Sequence, residues 1–244
     1  MKFTFGIITQ DNTDYCNRII ESIVKNNIPC YEIIIIGNVD IQDTDTTKTI
    51  KFNEDIKKNW ITRKKNIVAE NAKYENIVLL HDYVILGDDW YDGFIKFGNK
   101  FDFCVTKIIN QNGERFRDYT IFPYKSSNSE FTRDWSPCEI DSYFNNYCLL
   151  PYDFLNNPKL NKYMYISGAY YVIKTEIALK HKLNEKLLHC ESEDVELCTR
   201  LHNNNVLIQC NQHSSVHFLK YKESLPWERE VDRDKLIEFI EKIE

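Results

Sequence analysis

Two acidic spots in this sequence have the residue types and the setting for chemistry. The first is His81-Asp82-Tyr83, which follows directly on the apolar run Ile77-Val78-Leu79-Leu80. A run that short reads as a buried strand, and in open α/β sheets ligands bind at the carboxyl ends of the strands. A carboxylate beside an imidazole there suits a divalent cation, Mn2+ or Mg2+, bridging a diphosphate and neutralising a leaving group. A capping Asp82 and a packed His81 are the ordinary alternative. The second spot is Glu193-Asp194, at the start of a predicted helix with Ser192 as its N-cap. Acidic residues in a first turn also satisfy the helix dipole. Lys57-Lys58 and Arg63-Lys64-Lys65 form a local basic group that either meets an anionic ligand or covers a solvated helix face.

The elements that position these residues follow from periodicity. Residues 2–9, 31–36 and 76–80 are short apolar runs and read as strands. Residues 14–27 and 61–75 carry apolar residues at helical spacing, which makes the first 80 residues a repeated βα pattern. Strands apolar on both faces point to a parallel sheet covered by helices. The expected ends Thr9-Gln10-Asp11, Asn38-Val39-Asp40 and His81-Asp82-Tyr83 then lie side by side. A weaker strand is expected within 48–52, a short helix at 89–98 and a strand at 101–109. Residues 111–160 show little periodicity, which marks long loops of the functional kind. Residues 163–173 read as a strand broken at Ser167-Gly168. Helices are expected at 175–183 and 192–203, strands at 205–210 and 214–219, and a charged amphipathic helix after Pro226. No repeat or linker interrupts the chain, so the expectation is one domain over 1–244. Its half 1–110 carries the nucleotide-type βα pattern, and 111–244 is the other half.

Composition narrows the partners. With 244 residues and 43% hydrophobic content the chain can bury a large core. A net charge of −6 argues against nucleic acid, which needs a basic face. Eight cysteines without a C-x-x-C pair read as free thiols of a reducing compartment. No apolar run reaches the ~20 residues of a membrane span, and the start lacks a signal-peptide layout. The expectation is a cytoplasmic protein with no membrane span.

Several segments carry a family resemblance: FGIIT, YEIIIIGN, TRKKNIVAENAKYENIVLLHDYV, YISGAYYVIK, ESEDVELCTRL and SVHF. In their order, the chain resembles GT-A glycosyltransferases, the family 2-like nucleotide-sugar transferases. The resemblance covers roughly 3–110 and 163–219. It implies a GT-A, Rossmann-like, mostly parallel sheet flanked by helices. It implies sugar transfer from a nucleotide-sugar donor, a UDP-sugar by default, to a hydroxyl of a glycan, protein or small molecule, with inversion and Mn2+ or Mg2+ assistance. Thr9, Asn38 and Asp40 would border the nucleoside, and Arg63, Lys65 and Asn66 the base or phosphate. Asp82 would hold the metal at the D-x-D position, with His81 beside it and His217 as a further ligand. Ser167, Gly168 and Ala169 would let the backbone approach the sugar. Asp194 would be the general base, supported by Glu193. Trp135, within the unmatched segment, would face an acceptor sugar. Where the family has D-x-D, this chain has His81-Asp82-Tyr83, and Asn38 stands at a position usually acidic.

Two other readings compete. A nucleotidyltransferase would want a basic Gly-rich loop after the first strand, and TQDNTDYC has neither glycine nor lysine. A catalytically degenerate GT-A-like module that only binds sugar or nucleotide fits the altered D-x-D, but it has no need of Glu193-Asp194.

Overall fold

The computed structural model describes residues 1–121, 124–126, 135–137, 148–154, 156–160, 163–188, 191–224 and 229–242. Strand β1 (Phe3–Ile8) is buried along its whole length, as a mostly apolar strand covered on both faces should be, with Thr4 donating its hydroxyl to Glu32. Helix α1 (Thr13–Lys25) starts at Asn12, whose side chain accepts from the Tyr15 N–H at 3.0 Å. Strands β2 (Tyr31–Ile36) and β3 (Thr47–Ile50), helix α2 (Ile61–Asn71) and strand β4 (Asn76–His81) complete the first half. Strand β5 (Val84–Leu86), helix α3 (Trp90–Phe97) and strand β6 (Phe103–Ile109) follow. Four short strands come next: β7 (Thr120–Ile121), β8 (Tyr124–Ser126), β9 (Trp135–Pro137) and β10 (Cys148–Leu149). The chain then runs through β11 (Met164–Tyr165), β12 (Tyr170–Lys174), α4 (Thr175–Lys180), α5 (Glu193–Asn203), β13 (Ile208–Phe218), β14 (Arg229–Glu230) and α6 (Arg233–Lys242).

The main sheet has eight strands in the order β3-β2-β1-β4-β12-β6-β13-β5. Its first four strands are mutually parallel, and β13 is parallel to β6. Strand β12 runs antiparallel between β4 and β6, and β5 runs antiparallel to β13. The sheet is therefore mixed, with parallel pairings in the majority. Strands β11, β7, β10 and β14 form a second small sheet, and β8 pairs with β9. Helix α2 lies close on β1 because Gly6 has no side chain: a Cβ there would sit 2.4 Å from a methyl of Val68. No described helix is long and apolar enough to cross a membrane. Among the described residues, Cys16, Cys104, Cys198 and Cys210 are buried free thiols, and Cys30 is a half-buried one.

Three elements differ from the sequence expectation for visible reasons. Helix α2 stops at Asn71 instead of reaching 75. The Lys73 N–H is taken by the Glu32 carboxylate at 2.6 Å and the Tyr74 N–H by the Thr4 hydroxyl at 3.2 Å, so the chain is drawn out into β4. The run 163–173 divides between two sheets, with Ser167–Ala169 as the link. The two strands expected at 205–219 are one strand, β13, irregular between Asn211 and Ser215. There the Asn211 amide donates to Ser214 Oγ and accepts from the His213 N–H, replacing ladder bonds.

Candidate active site

The carboxyl ends of β1, β2 and β4 lie side by side, as β1 pairs with both others. Thr9, buried at the end of β1, donates its hydroxyl to Asp82 Oδ2 at 2.7 Å and accepts from the Asn12 N–H at 3.2 Å. The Asp82 N–H donates to Ile8 O at 3.1 Å, so the tip of β4 is tied to β1 twice. Burial, and then the Asp82 charge, push the Cys16 thiol below this tip up to about 12. Asn38 and Asp40 are exposed beyond β2. Asn38 donates its N–H to Gln10 O and accepts from the Phe52 N–H. The Asp40 N–H reaches Thr13 Oγ1 at 3.4 Å. Four of the expected positions, Thr9, Asn38, Asp40 and Asp82, thus share one sheet edge.

Next to that edge opens a cavity of about 550 Å³, within the range that small ligands fill. His81, Tyr83, Ser167, Gly168, Ala169, Glu193 and Asp194 line it, together with Arg117, Tyr165, Tyr221 and Lys222. The His81 N–H donates to Ala169 O at 2.9 Å, which fixes the β4 tip against the link into β12. Asp194 is held from three sides. Its Oδ2 accepts from the Gly168 N–H at 2.8 Å and the Tyr165 hydroxyl at 2.9 Å, and its Oδ1 accepts from the Val195 N–H at 2.9 Å. A carboxylate oxygen takes about two donors, so Oδ2 is filled and Oδ1 keeps a lone pair. A Cβ on Gly168 would come within 2.9 Å of Glu193 Oε1 and 3.1 Å of Asp194 Oδ2, so only glycine lets the backbone lie this near both carboxylates. Ser192 is the residue before α5, as expected, but its side chain makes no cap. It takes a left-handed conformation, φ 61°, which costs a non-glycine residue energy and is typical of functional corners.

Beneath this floor lies Lys65. Its ammonium is fully buried, donates to Gly168 O at 2.8 Å and stands 3.8 Å from Glu193 Oε1. Burial lowers the Lys65 pKa while Glu193 and Asp194 oppose the shift. Glu193 is 5% exposed, and burial, followed by the Asp194 charge, raises it to about 7 against the pull of Lys65. The Gly168 peptide is gripped at both ends, by Lys65 on its carbonyl and by Asp194 through its N–H.

The rest of α2 holds the chain that leads into α5. Asn66 is buried, donates to Leu183 O and Glu185 Oε1, and accepts from the Leu183 N–H. Trp60 Nε1 donates to Glu185 O and the Thr62 hydroxyl to Leu187 O, both at 2.8 Å. Arg63 pairs with Glu70 and Glu185. Lys64 pairs with Glu54 and donates to Thr9 O. Arg63, Lys65 and Asn66 do not line the cavity.

The expected metal ligands are not assembled. Asp82 and His217 are absent from the cavity lining. His217 pairs in register with Ile85 and Ile109, and its Nε2 is 3.3 Å from Ser215 Oγ, which in turn donates to Asp89. Among the described residues no group of three His, Cys, Asp or Glu side chains stands ready for a metal ion. The described residues thus offer Asp82 at the strand end and no three-ligand cage; a divalent ion there would take one or two carboxylates and the rest of its ligands from a diphosphate. At the last position of the tripeptide, where the family has an acid, stands Tyr83. Lys220 and Lys222 place their ammonium groups 4.4 and 5.1 Å from its ring centroid. Burial, then Asp82 and Glu193, push its phenol up, against the pull of the Arg117 guanidinium. The side chain of Trp135 lies outside the described residues.

Sequence reasoning gave no role to Tyr83, Tyr165, Arg117 or Lys222. The two tyrosines stood inside quoted segments, HDYV and YISGAYYVIK. The two cations lie outside any periodic element, and nothing in the sequence marks them.

No family model and no curated protein sequence matches the chain. Solved structures do. GalNAc-T7, in a crystal with UDP, GalNAc and Mn2+, matches over 91% of this chain with a TM-score of 0.61 at 11% identity, and the chain spans 44% of that protein. S. aureus TarS 1–349 in complex with UDP matches over 89% with a TM-score of 0.54 at 13% identity, the chain spanning 60% of it. A longer TarS structure matches over 98% of the chain at the same TM-score, the chain spanning 38% of it. Both neighbours are glycosyltransferases of the GT-A type, and this chain has their fold.

Proposed function

We propose that the chain is a glycosyltransferase that moves a sugar from a nucleotide-sugar donor, a UDP-sugar by default, to an acceptor hydroxyl with inversion. The observation that carries this reading is Asp194. It sits at the head of α5, opens on the cavity, and is held rigidly by the Gly168 N–H and the Tyr165 hydroxyl on a glycosyltransferase fold. In the reaction the acceptor oxygen attacks the anomeric carbon and its proton passes to Asp194 Oδ1, the oxygen with a lone pair to spare. The anomeric C–O bond breaks and its electron pair leaves on the β-phosphate of the nucleoside diphosphate. Gly168 and Ala169 leave room for the sugar between the carboxylates and the β4 tip. Thr9, Asn38, Asp40 and Asp82 border the nucleoside at the neighbouring sheet edge. Glu193, its pKa raised by burial and by the Asp194 charge, adds less negative charge beside the base than an exposed carboxylate would.

The test is calorimetric titration with UDP, GDP, dTDP and CDP, followed by a donor-hydrolysis assay with the matching nucleotide sugars. Binding of one nucleoside diphosphate with slow release of its sugar supports the reading. Binding without turnover by any sugar would favour a module that binds but does not catalyse, and no binding would remove the reading altogether.

A further inference from the structure

A glycosyltransferase must meet the negative charge that develops on the departing diphosphate. The protein supplies no cluster of metal ligands among its described residues, and Asp82 is bonded to Thr9 beside the cavity. Positive charge does gather at the same place, although Glu223 joins Glu193 and Asp194 in the lining. Lys220 and Lys222 lie over the ring of Tyr83, which immediately follows Asp82, and Arg117 and Lys222 line the cavity. These cations stand on anchored chain. The Leu219 N–H donates to Tyr83 O at 2.8 Å. Asn110, buried at the end of β6, accepts from the Lys222 N–H and donates to the Lys222 carbonyl. Arg117 follows Phe116, whose ring packs on Phe218 at 5.0 Å and whose N–H donates to Ile108 O at 2.8 Å.

We propose that Arg117, Lys220 and Lys222, gathered around Tyr83, form the diphosphate site of this chain and do the work that a divalent ion does elsewhere on the fold. The inference rests on the transferase reading and specifies its leaving-group side. Guanidinium and ammonium groups suit it, since the guanidinium fork binds two phosphate oxygens at once. No proton moves on this side. The electron pair of the broken anomeric bond stays on the phosphate oxygen, and the fixed cations meet it.

The experiment is calorimetric titration of UDP, GDP, dTDP and CDP and of their monophosphates, in EDTA and in Mn2+. It uses the wild-type protein, Arg117→Gln and the double variant Lys220→Gln/Lys222→Gln, each checked by thermal denaturation. The expected result is a diphosphate affinity that differs less than about threefold between EDTA and Mn2+. The preference for diphosphate over monophosphate should fall about tenfold in each variant, one lost charge-assisted contact being about that large. Binding that needs Mn2+, or variants that keep the full preference, would overturn the inference and leave the transferase reading standing. Absence of binding by every nucleotide in both buffers would overturn that reading and the inference with it. If Arg117→Gln does not fold, the lysine pair and the metal comparison decide alone.

Discussion

Helix α2 and the rim formed by Arg117 and residues 219–222 are both rich in positive charge, and their side chains stand in different surroundings. On α2, Lys64 and Lys65 are each 1% exposed and bond to main-chain carbonyls, and Arg63 lies between two glutamates. At the rim, Arg117 and Lys222 face the cavity. A basic tripeptide on a predicted helix suggests an anion site, yet here it works as internal scaffolding. The contrast shows that a cation's role depends on where its end group finds partners, which residue type and spacing do not fix.

The comparison can be broken where its stakes are highest. Asp194→Asn keeps the shape but removes the base, and transfer should fall by about 10³-fold while nucleotide affinity stays within about twofold. Turnover within tenfold of wild type would remove the base assignment. Gly168→Ala tests whether scaffold and site meet in one peptide. The added methyl must displace Glu193 or Asp194, so activity should fall about 100-fold with a stability loss of about 1–3 kcal/mol. Unchanged kcat would show that the carboxylates can move freely.

Glu193 sharpens the comparison through pH. Its folded pKa of about 7 lies above the ordinary 4.5, so the folded state holds the proton more tightly. The stability it contributes is complete below about pH 4.5 and is lost as pH rises through about 7, a change of about 3 kcal/mol. Glu193→Gln should flatten the fall of Tm over that window. Parallel Tm curves for the two proteins would mean that the carboxyl is not buried as described. The smallest effect is expected for Arg63→Ala. Its ion pairs are partly exposed, so the loss should stay below about 1 kcal/mol, with nucleotide affinity unchanged. A tenfold weaker affinity would return Arg63 to the ligand.

Much of the frame was legible because periodicity is a local signal. The buried runs of β1, β2 and β4 and the helical spacing of α1 and α5 could be read directly. The direction of β12 could not. An apolar run looks the same in either direction, and only the link at Ser167–Ala169 turns YYVIK antiparallel to β4. At the site, the structure brings Ser167, Gly168, Ala169, Glu193, Asp194 and His81 to one cavity, all from segments whose composition had drawn notice. It sets His217 against Ser215, and Asn66 under the 183–185 stretch, through side-chain contacts that span more than a hundred residues or depend on strand register. The left-handed turn at Ser192 was equally hidden, since serine gives no sign of positive φ.

The docking of the 183–187 stretch on α2 has a consequence for how such a protein can be divided and recombined. Trp60, Thr62, Lys65 and Asn66 belong to the first 110 residues, and their partners Glu185, Leu187, Gly168 and Leu183 to the second part. A chimera that exchanged residues 1–110 with a relative would inherit a helix cut to another loop, and Asp194 would lose its footing. The natural unit of exchange is larger than residues 1–110 and takes in the chain through α5.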